Sequence, residues 1–439
     1  MKELYSKIII LLVDILAIFL SIFLGYMLRI FLDNSFEDTL NHALSIYSTL
    51  PLLYITTIGM LAYENIYTKR YDFWHESRHI IKALILSFIL IMAFLAMTQA
   101  IFGYSRTVIA FSFMFMVFLI PTFKYFTKRI LYRNGLWKRK AFVYGKDDYF
   151  KEEIFSNPHL GYIEASKKDA KTIFIDSYEE DLGTLKNLIE KEVQKNHEVV
   201  FIPLINEYDL TRSFIYNLSS RRRNLIVFNN RLKSKYRIWT KKASDLIMSI
   251  LIFPFLIPVM MYIAYKIRKE ESGSSVFFKQ ERLGQRGKIF LCYKFRTMFE
   301  ESDALLQKYL EENPDEIVYY DRYHKYKNDP RITNIGGRLR KTSLDELPQI
   351  FNVLKNEMSF IGPRPYILSE EEKMGKDIDT ILTVKPGITG LWQVSGRNDV
   401  DFKERVALDV WYIRNWNLWM DIVILLKTVK TVFVREGAS

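Results

Sequence analysis

The feature that most constrains the fold is a series of apolar runs in the first third of the chain. Each run is about as long as the roughly 20 residues that a helix needs to cross a bilayer. The runs lie near Ile8–Leu32, Ala43–Ala62, Ile80–Phe102 and Val108–Phe126. The sequence therefore predicts four transmembrane helices in residues 1–137, and we interpret this section as a membrane anchor.

Basic residues flank these runs unevenly. Residues 124–140 hold seven lysines and arginines, whereas the loop after the first run carries mainly acidic residues. Lysine and arginine are enriched in the cytoplasmic loops of membrane proteins. We therefore expect both termini to be cytoplasmic. The single cysteine, Cys292, excludes an intrachain disulfide and is typical of a reducing compartment.

A fifth apolar run, Ala243–Tyr265, has a different pattern. It contains Pro254 and Pro258, and lysines and arginines lie on both of its sides. A straight crossing would place one of these basic clusters outside the cell, against the usual charge distribution, and prolines bend or break a helix. We therefore favour a helix that enters the membrane and returns to the same face, with an ordinary fifth span as the alternative.

The section from residue 138 to residue 235 predicts a Rossmann-like α/β domain. Short β-branched and aromatic runs alternate there with helical segments, as in a parallel sheet with crossover helices. The turn after the first run, Tyr144 to Asp148, has one glycine and two acids and is a poor cradle for a pyrophosphate. We therefore interpret the domain as structural or regulatory. The expected strands are Lys140–Tyr144, Thr172–Asp176, Val199–Pro203 and Leu225–Phe228, and the expected helices are Glu180–Lys195 and Asp209–Ser220.

An adjacent pair of carboxylates, Asp345-Glu346, lies in a strongly basic stretch of the chain. One carboxylate can attack phosphorus as a nucleophile. The other can hold Mg²⁺, which usually binds one or two carboxylates together with substrate phosphates. The pattern predicts chemistry on a phosphorylated substrate at the surface of a bilayer. The cations available to bind the phosphates are Arg331, Arg338, Arg340, Lys341 and Arg364.

Two local structures are possible around the pair. Ser343 and Glu346 have the spacing of a capping box, which would be a purely structural role. Pro348 argues against it, because proline is favoured at the first position of a helix and not beyond the first turn. We therefore predict a helix that begins at Pro348, with both carboxylates just before it. Its apolar face would comprise Leu347, Ile350, Phe351, Leu354 and Met358.

Two further patterns bear on the site. Phe277–Glu281 and Ile289–Arg296 predict two strands joined by a turn, with Lys294 and Arg296 on one face because side chains alternate along a strand. A turn at residues 385–390 precedes Gln393 and Arg397, two residues that could line the site.

The C-terminal segment combines three tryptophans with an apolar helical pattern. Trp411, Trp416 and Trp419 lie close to the run from Leu418 to Phe433. This is typical of an amphipathic helix at a membrane interface. A helix that packs in the core is a nearly equal alternative.

The segment from Lys241 onwards resembles the bacterial sugar transferase family, which comprises monotopic phosphoglycosyl transferases acting on polyprenol phosphate. The four helices and the middle section resemble those of large family members that transfer galactose or glucose phosphate to undecaprenyl phosphate. The resemblance implies a catalytic α/β domain in residues 236–439, with a re-entrant helix that breaks at Pro258 and has Lys241, Lys242 and Asp245 where it enters the membrane. The matching pieces are KKASDLIMSILIFPFLIP, VFFKQERLGQRGKIFLCYKFRTM, DPRITNIGGRLRKTSLDELPQIFNVLKNEMSFIGPRP and KPGITGLWQVSGRN.

The same resemblance implies a mechanism. Asp345 would attack the β-phosphate of a UDP-sugar and release UMP, and undecaprenyl phosphate would then take the phosphosugar from the aspartyl intermediate. Glu346 would hold Mg²⁺, and Arg340 and Arg364 would contact phosphates or the lipid head group. The expected setting is the cytoplasmic face of a bacterial inner membrane, in the first membrane step of O-antigen, capsule or exopolysaccharide synthesis. The expected partners are these substrates, membrane lipids and a second copy of the chain, but not nucleic acid.

Two other hypotheses remain open at this point. A membrane-anchored nucleotide-sugar dehydratase or epimerase would also join four helices to an α/β domain, but it needs a dinucleotide loop that the turn at Gly145 does not offer. A tightly bound NAD would support it. A non-enzymatic membrane scaffold is the third hypothesis, and full complementation by Asp345→Ala would support that one.

Overall fold

The computed structural model divides into two compact units, Met1–Ile205 and Asn206–Ser439. The three-part division into residues 1–137, 138–235 and 236–439 stays a prediction. The described residues are 2–32, 44–48, 50–98, 104–145, 148–176, 182–195, 198–202, 214–218, 223–227, 235–270, 275–300, 302–313, 315, 329–395 and 401–434.

The first unit begins with apolar helices at the four predicted positions. The stretches Lys2–Phe31, Leu44–Tyr63, Phe73–Met97 and Arg106–Arg133 are each long and apolar enough to cross a membrane. Apolar side chains of these stretches pack into one cluster. The helices are α1 (Lys2–Phe31), α2 (Leu44–Ser48), α3 (Pro51–Tyr63), α4 (Phe73–Met97) and α5 (Arg106–Arg133).

Two buried ion pairs connect the helices of this cluster. Lys124 Nζ lies 2.6 Å from Asp14 Oδ2, and both side chains are fully buried. Lys128 lies 2.8 Å from Glu76, which also forms a 2.6 Å hydrogen bond with Nε2 of His159. Removal of one partner from such a pair leaves an uncompensated buried charge, so the pairs hold the helices in one arrangement. Two of the seven basic residues used above for orientation are therefore internal.

A parallel sheet follows the helices, as predicted. Its four strands are in the order β2-β1-β3-β4, and every adjacent pair is parallel. The central strands bury Ala141, Ile173 and Ile175, whose β-branched or small side chains suit a sheet that is covered on both faces. The elements are β1 (Arg139–Tyr144), α6 (Asp148–Ser156), β2 (Tyr162–Glu164), β3 (Thr172–Asp176), α7 (Leu182–Gln194) and β4 (Glu198–Ile202).

The helix expected at Asp209–Ser220 is wrong where the structure describes it. Residues 214–218 form a strand, β5 (Phe214–Leu218), that pairs antiparallel with β6 (Arg223–Val227). Aromatic and β-branched residues such as Phe214, Ile215 and Tyr216 favour a strand. The predicted strand near Leu225 therefore belongs to a hairpin and not to the parallel sheet, and residues 209–213 lie outside the described residues.

The second unit contains the fifth apolar helix, α8 (Lys235–Glu270), which is helical throughout its 36 residues. Its stretch Ile238–Glu270 is also long and apolar enough to cross a membrane. Pro254 and Pro258 lie inside the helix and do not interrupt it. The break expected at Pro258 is therefore not present as a gap in the helix, and re-entry into the membrane stays a prediction.

The N-terminal part of α8 is fixed to the rest of the second unit by buried charges. Lys241 Nζ lies 2.9 Å from Asp421 and 3.2 Å from Asp245. Asp245 also accepts hydrogen bonds from the Ser359 hydroxyl at 2.7 Å and from the Phe360 N–H at 3.2 Å. The carboxylates thus receive donors from α8 and β9, which compensates the burial of their charge.

The other elements of this unit surround one apolar core that runs from Met260 to Ile424. The C-terminal helix packs one face into it through Ile424, and leaves Leu418, Ile422, Leu426 and Val429 exposed on the other. The elements are β7 (Phe277–Leu283), β8 (Ile289–Phe295), α9 (Ser302–Glu312), α10 (Asn334–Thr342), α11 (Ile350–Leu354), β9 (Ser359–Ile361), α12 (Glu371–Met374), α13 (Ile378–Ile381), β10 (Gly387–Thr389), α14 (Leu391–Val394), α15 (Phe402–Asn415) and α16 (Leu418–Val434).

Candidate active site

The hairpin β7–β8 forms one wall of a cavity of about 670 Å³. Its strands pair antiparallel, with Phe278 opposite Lys294. Lys294 and Arg296 both line the cavity, which confirms that they project from the same side. A cavity of this size is in the range of small-molecule sites.

Helix α10 brings an arginine to the cavity. The helix packs closely on the backbone of residue 297, because a side chain at Gly336 would collide with the carbonyl oxygen of Thr297. This approach lets Arg340 Nε donate to Thr297 Oγ1 at 2.9 Å. Packing therefore explains why a glycine stands at position 336.

Asp345 and Glu346 follow α10 directly and line the same cavity. Ser343 ends the helix in a left-handed conformation with φ of 56° and makes no capping hydrogen bond with its side chain, so the capping box is not formed. A 3₁₀-helix spans Leu344–Gln349 and contains Pro348. The helix predicted to begin at Pro348 therefore begins earlier, and the carboxylates lie in its first turn and not before it.

The predicted apolar face is largely confirmed. Ile350 and Met358 are almost fully buried, and Leu347 and Phe351 pack against the core. Leu354 is the exception and remains exposed, because the α-helix ends at this residue. The apolar side chains hold the 3₁₀-helix against β8 and so fix the two carboxylates relative to Lys294.

The two carboxylates have different environments. Glu346 forms a 2.7 Å ion pair with Lys294, and 30% of its side chain is exposed. Burial raises the pKa of Asp345 to about 6; the nearby Glu346 adds to this rise, while Lys294 and Arg340 oppose it. Asp345 is therefore an ionised but poorly solvated carboxylate at neutral pH, which is the state that a nucleophile requires.

The opposite wall of the cavity carries Arg364, Trp392, Gln393 and Arg405. The guanidinium groups of Arg364 and Arg405 lie 5.8 Å and 5.1 Å from the ring centre of Trp392. Arg364 and Gln393 were predicted from the sequence. Trp392 and Arg405 were missed, because only the fold brings the start of α15 beside the turn after β10.

A buried acid supports the loop that carries Arg364. Asp409 Oδ2 accepts hydrogen bonds from the Tyr366 hydroxyl at 2.9 Å and from the backbone N–H of Arg364 at 3.2 Å. Burial raises the pKa of Asp409 to about 7. The sequence offers a weak sign that Asp409 belongs to the site, since it lies one helical turn after Arg405, which lines the cavity.

The other predicted site residues lie elsewhere. Arg331 donates two hydrogen bonds to Asp329, at 2.8 Å and 2.7 Å, and is not among the residues that line the cavity. Arg397 lies outside the described residues. Lys241, Lys242 and Asp245 line a separate small cavity at the start of α8.

The described residues contain no group of three or more histidine, cysteine, aspartate or glutamate side chains that could hold a metal ion. A Mg²⁺ ion that is shared with substrate phosphates does not need such a group, since one or two protein carboxylates are sufficient. The Asp345-Glu346 pair, surrounded by cations for the phosphates, fits that kind of site.

The apolar helices and the acidic pair in a basic cavity together define a membrane-bound enzyme that acts on an anionic substrate. The chain belongs to the bacterial sugar transferase family and is a transferase. The sequence model described as "Bacterial sugar transferase" matches residues 236–435, the segment that contains the whole cavity. This membership favours the transferase hypothesis over a dehydratase, an epimerase or a scaffold.

Similar proteins cover different parts of the chain. The undecaprenyl-phosphate galactose phosphotransferase of Salmonella typhimurium is 36% identical over 406 residues, which are 85% of this chain and 84% of that protein. An uncharacterized sugar transferase of Haemophilus influenzae is 32% identical over 99% of both chains. The exopolysaccharide production protein ExoY of Sinorhizobium fredii is 41% identical over 199 residues, which are 45% of this chain and 88% of that protein.

Proposed function

We propose that this enzyme transfers a sugar 1-phosphate from a UDP-sugar to undecaprenyl phosphate and releases UMP. The observation that carries the proposal is Asp345, a desolvated carboxylate whose pKa of about 6 leaves it ionised among Lys294 and Arg340 in the cavity. The name of the Salmonella relative supports undecaprenyl phosphate as the acceptor and a sugar phosphate as the transferred group, and the name of the Sinorhizobium relative supports a role in exopolysaccharide production.

The reaction has two displacements at one phosphorus. In the first, an oxygen of Asp345 bonds to the β-phosphorus of the donor, and the bond between that phosphorus and the bridging oxygen breaks, so that UMP leaves with the electron pair. In the second, a phosphate oxygen of undecaprenyl phosphate bonds to the same phosphorus, and the aspartyl oxygen leaves as a carboxylate. Lys294, Arg340 and Arg364 would stabilise the charge on the phosphoryl oxygens.

We assign Glu346 as the carboxylate that would hold Mg²⁺. Two observations support this assignment: part of Glu346 is exposed, and its carboxylate already pairs with a cation, Lys294, at 2.7 Å. Mg²⁺, when bound, neutralises charge on the diphosphate and orients it. Lys294 would then be free to contact a phosphate oxygen.

The contacts of α8 support a re-entrant arrangement. Near its start, Lys241 and Asp245 bind Asp421 and Ser359, and at its end Glu270 accepts hydrogen bonds from the N–H groups of Asn334 and Ile335 at 2.7 Å and 3.0 Å. Both ends of the helix thus contact the same catalytic unit. A straight crossing would place them on opposite sides of the bilayer, so we propose that α8 dips into one leaflet.

Three further expectations belong to this proposal. The catalytic unit lies at the cytoplasmic face of the bacterial inner membrane, as the distribution of basic residues indicates. The helices of the first unit cross that membrane several times. The enzyme acts as a homodimer, which a mass measurement in detergent would test.

The proposal is tested by mixing the purified enzyme with Mg²⁺, undecaprenyl phosphate and a panel of UDP-sugars, and by identifying the nucleotide released. We expect UMP with one donor, and a loss of at least about a thousandfold in Asp345→Asn because the nucleophile is removed. Asp379→Asn, an exposed carboxylate outside the cavity, is the matched control. Release of UDP instead of UMP would contradict the proposal, since it would mean transfer of the sugar without its phosphate.

A further inference from the structure

A second cavity, of about 420 Å³, adjoins the first. Lys294, Glu346, Arg364, Trp392 and Gln393 line both, but Asp345 lines only the first. The second cavity is completed by three residues that the first lacks, namely Arg282, Pro365 and Ile388. The molecule therefore offers two adjoining spaces, with Glu346 and Lys294 between them.

The charges of the second cavity do not balance. Its lining holds three cations and one carboxylate, and that carboxylate, Glu346, is paired with Lys294 at 2.7 Å. Within the part of the chain that the structure describes, the guanidinium groups of Arg282 and Arg364 have no carboxylate at ion-pair distance. Two neighbouring guanidinium groups without an acid are a favourable place for a phosphate, which binds arginine bidentately.

Arg282 is unusual for a cation because it is 8% exposed. Its Nη1 donates to the Pro365 carbonyl oxygen at 2.9 Å and its Nη2 to Gln280 Oε1 at 2.6 Å, while its Nε is buried without a hydrogen-bond partner among the described residues. Burial and the nearby Arg364 both lower its pKa. A bound anion would offset this cost of a buried charge.

The two arginines are held at a fixed separation. Leu283 N–H donates to the Tyr366 carbonyl oxygen at 2.9 Å, next to the contact between Arg282 and Pro365. The end of β7 and the loop that carries Arg364 are thus joined by two adjacent hydrogen bonds. Such a preorganised pair loses little freedom when it binds a ligand.

We propose that Arg282 and Arg364 form the binding site for the phosphate monoester of the polyprenyl acceptor, in the cavity that adjoins that of the nucleotide-sugar. The inference rests on the proposed function. The apolar lining residues Pro365, Ile388 and Trp392 suit an isoprenoid chain next to the phosphate. The donor remains on the side of Asp345, Arg296 and Arg340, where the nucleophile is. The alternative ligand for the two arginines is a phosphate of the nucleotide.

The two sources are distinguished by separating the half-reactions in Arg282→Gln. We expect the KM for undecaprenyl phosphate to rise about tenfold or more, because a charged hydrogen-bond donor is lost. The KM for the UDP-sugar and the burst of UMP without acceptor should stay within about twofold of the wild type. Arg282→Lys keeps the charge but loses the bidentate guanidinium group. Its KM for undecaprenyl phosphate should lie between those of the wild type and Arg282→Gln. Lys288→Gln, an exposed cation of the same hairpin, is the control and should match the wild type.

A wild-type measurement tests the site without any variant. n-Decyl phosphate, a phosphate monoester with a short apolar tail, should compete with undecaprenyl phosphate. Competition with the UDP-sugar instead, or a raised donor KM in Arg282→Gln with an unchanged acceptor KM, would overturn the proposal and assign the arginines to the nucleotide. If the wild type releases no UMP at all, the proposed function fails, whereas normal release with an unchanged acceptor KM in both Arg282 variants rejects only this inference.

Discussion

Asp345 has opposing influences on its charge. Burial and Glu346 favour the protonated carboxyl, whereas Lys294 and Arg340 favour the carboxylate. Lys294 belongs to β8, about fifty positions before the acidic pair. Sequence adjacency therefore identified the acidic pair, but the balance that sets the reactivity of Asp345 depends on a cation that only the fold brings to it.

The first half-reaction should consequently depend on pH. The carboxylate of Asp345 is the reactive form, so the rate of the UMP burst is expected to rise with pH and to level off above an apparent pKa of about 6. Lys294→Gln removes a charge that lowers this pKa, so the rising limb should move to higher pH. Lys279→Gln, an exposed lysine on β7, should leave the limb unchanged. A burst that does not change between pH 5 and 8 would contradict the assigned role.

The residues that the sequence did not reveal share one property. Arg282 lies on β7, Trp392 on α14, and Arg405 and Asp409 on α15, and none of them is close in sequence to the Asp345-Glu346 pair. Each acquires its role through a contact with the loop around Arg364. A single sequence carries no record of such long-range contacts, so the predictions were limited to the residues near the Asp345-Glu346 pair, those on the β7–β8 hairpin, Gln393 and Arg397 after the turn at residues 385–390, and the fifth apolar run.

At the scale of elements, the sequence predicted a strand or a helix correctly where a segment carried one clear spacing of apolar side chains. The hairpin β7–β8 and the parallel strands β1, β3 and β4 were foreseen because their side chains alternate or form short β-branched runs, whereas β2, with three residues, was missed. The start of the 3₁₀-helix at Leu344 was not, since it follows from the left-handed conformation of Ser343. The strand at Phe214–Leu218 was missed because the segment was assigned to a crossover helix between two parallel strands.

Two adjacent glycines provide a test of how α10 is positioned. A methyl group at Gly336 would collide with the backbone of Thr297, whereas one at Gly337 would meet only a side-chain carbon of Ile332 at 3.8 Å. Gly336→Ala should displace α10 with Arg340 and lower both the UMP burst rate and the unfolding temperature. Gly337→Ala should keep the activity and gain up to about 1 kcal/mol of stability, because alanine favours a helix. Equal effects of the two substitutions would exclude this explanation.

At the scale of the whole molecule, the catalytic unit has its own core. Every residue of that apolar cluster lies between positions 248 and 425. The Sinorhizobium relative matches 45% of this chain over 88% of its own length, so a chain of about that size exists as a separate protein. The sequence predicted the catalytic segment well, because several recognisable motifs lie close together in it. It predicted the middle section less well, because the order of the strands and the strand with which each one pairs depend on distant contacts.

A fragment that comprises Asn206–Ser439 should therefore fold and act alone. With its own core and all residues of both cavities, it is expected to release UMP from the donor within about an order of magnitude of the full chain's rate. The measurement is the UMP burst in detergent or nanodiscs, with the same fragment carrying Asp345→Asn as the control. A fragment that is folded by circular dichroism but gives no burst would show that the first unit contributes to the site.

The ion pair between Lys241 and Asp421 has a consequence for biosynthesis. The two residues are 180 positions apart, so at a translation rate of about 5–20 residues per second Asp421 leaves the ribosome roughly 10–35 s after Lys241. Of the two carboxylates that pair with Lys241 among the described residues, Asp245, one helical turn away on the same helix, is the one already synthesised during that interval. The docking of α16 onto α8 is thus a late event in synthesis. A nascent chain that stalls before Asp421 would expose α8 to cellular proteases without the contacts that α16 provides.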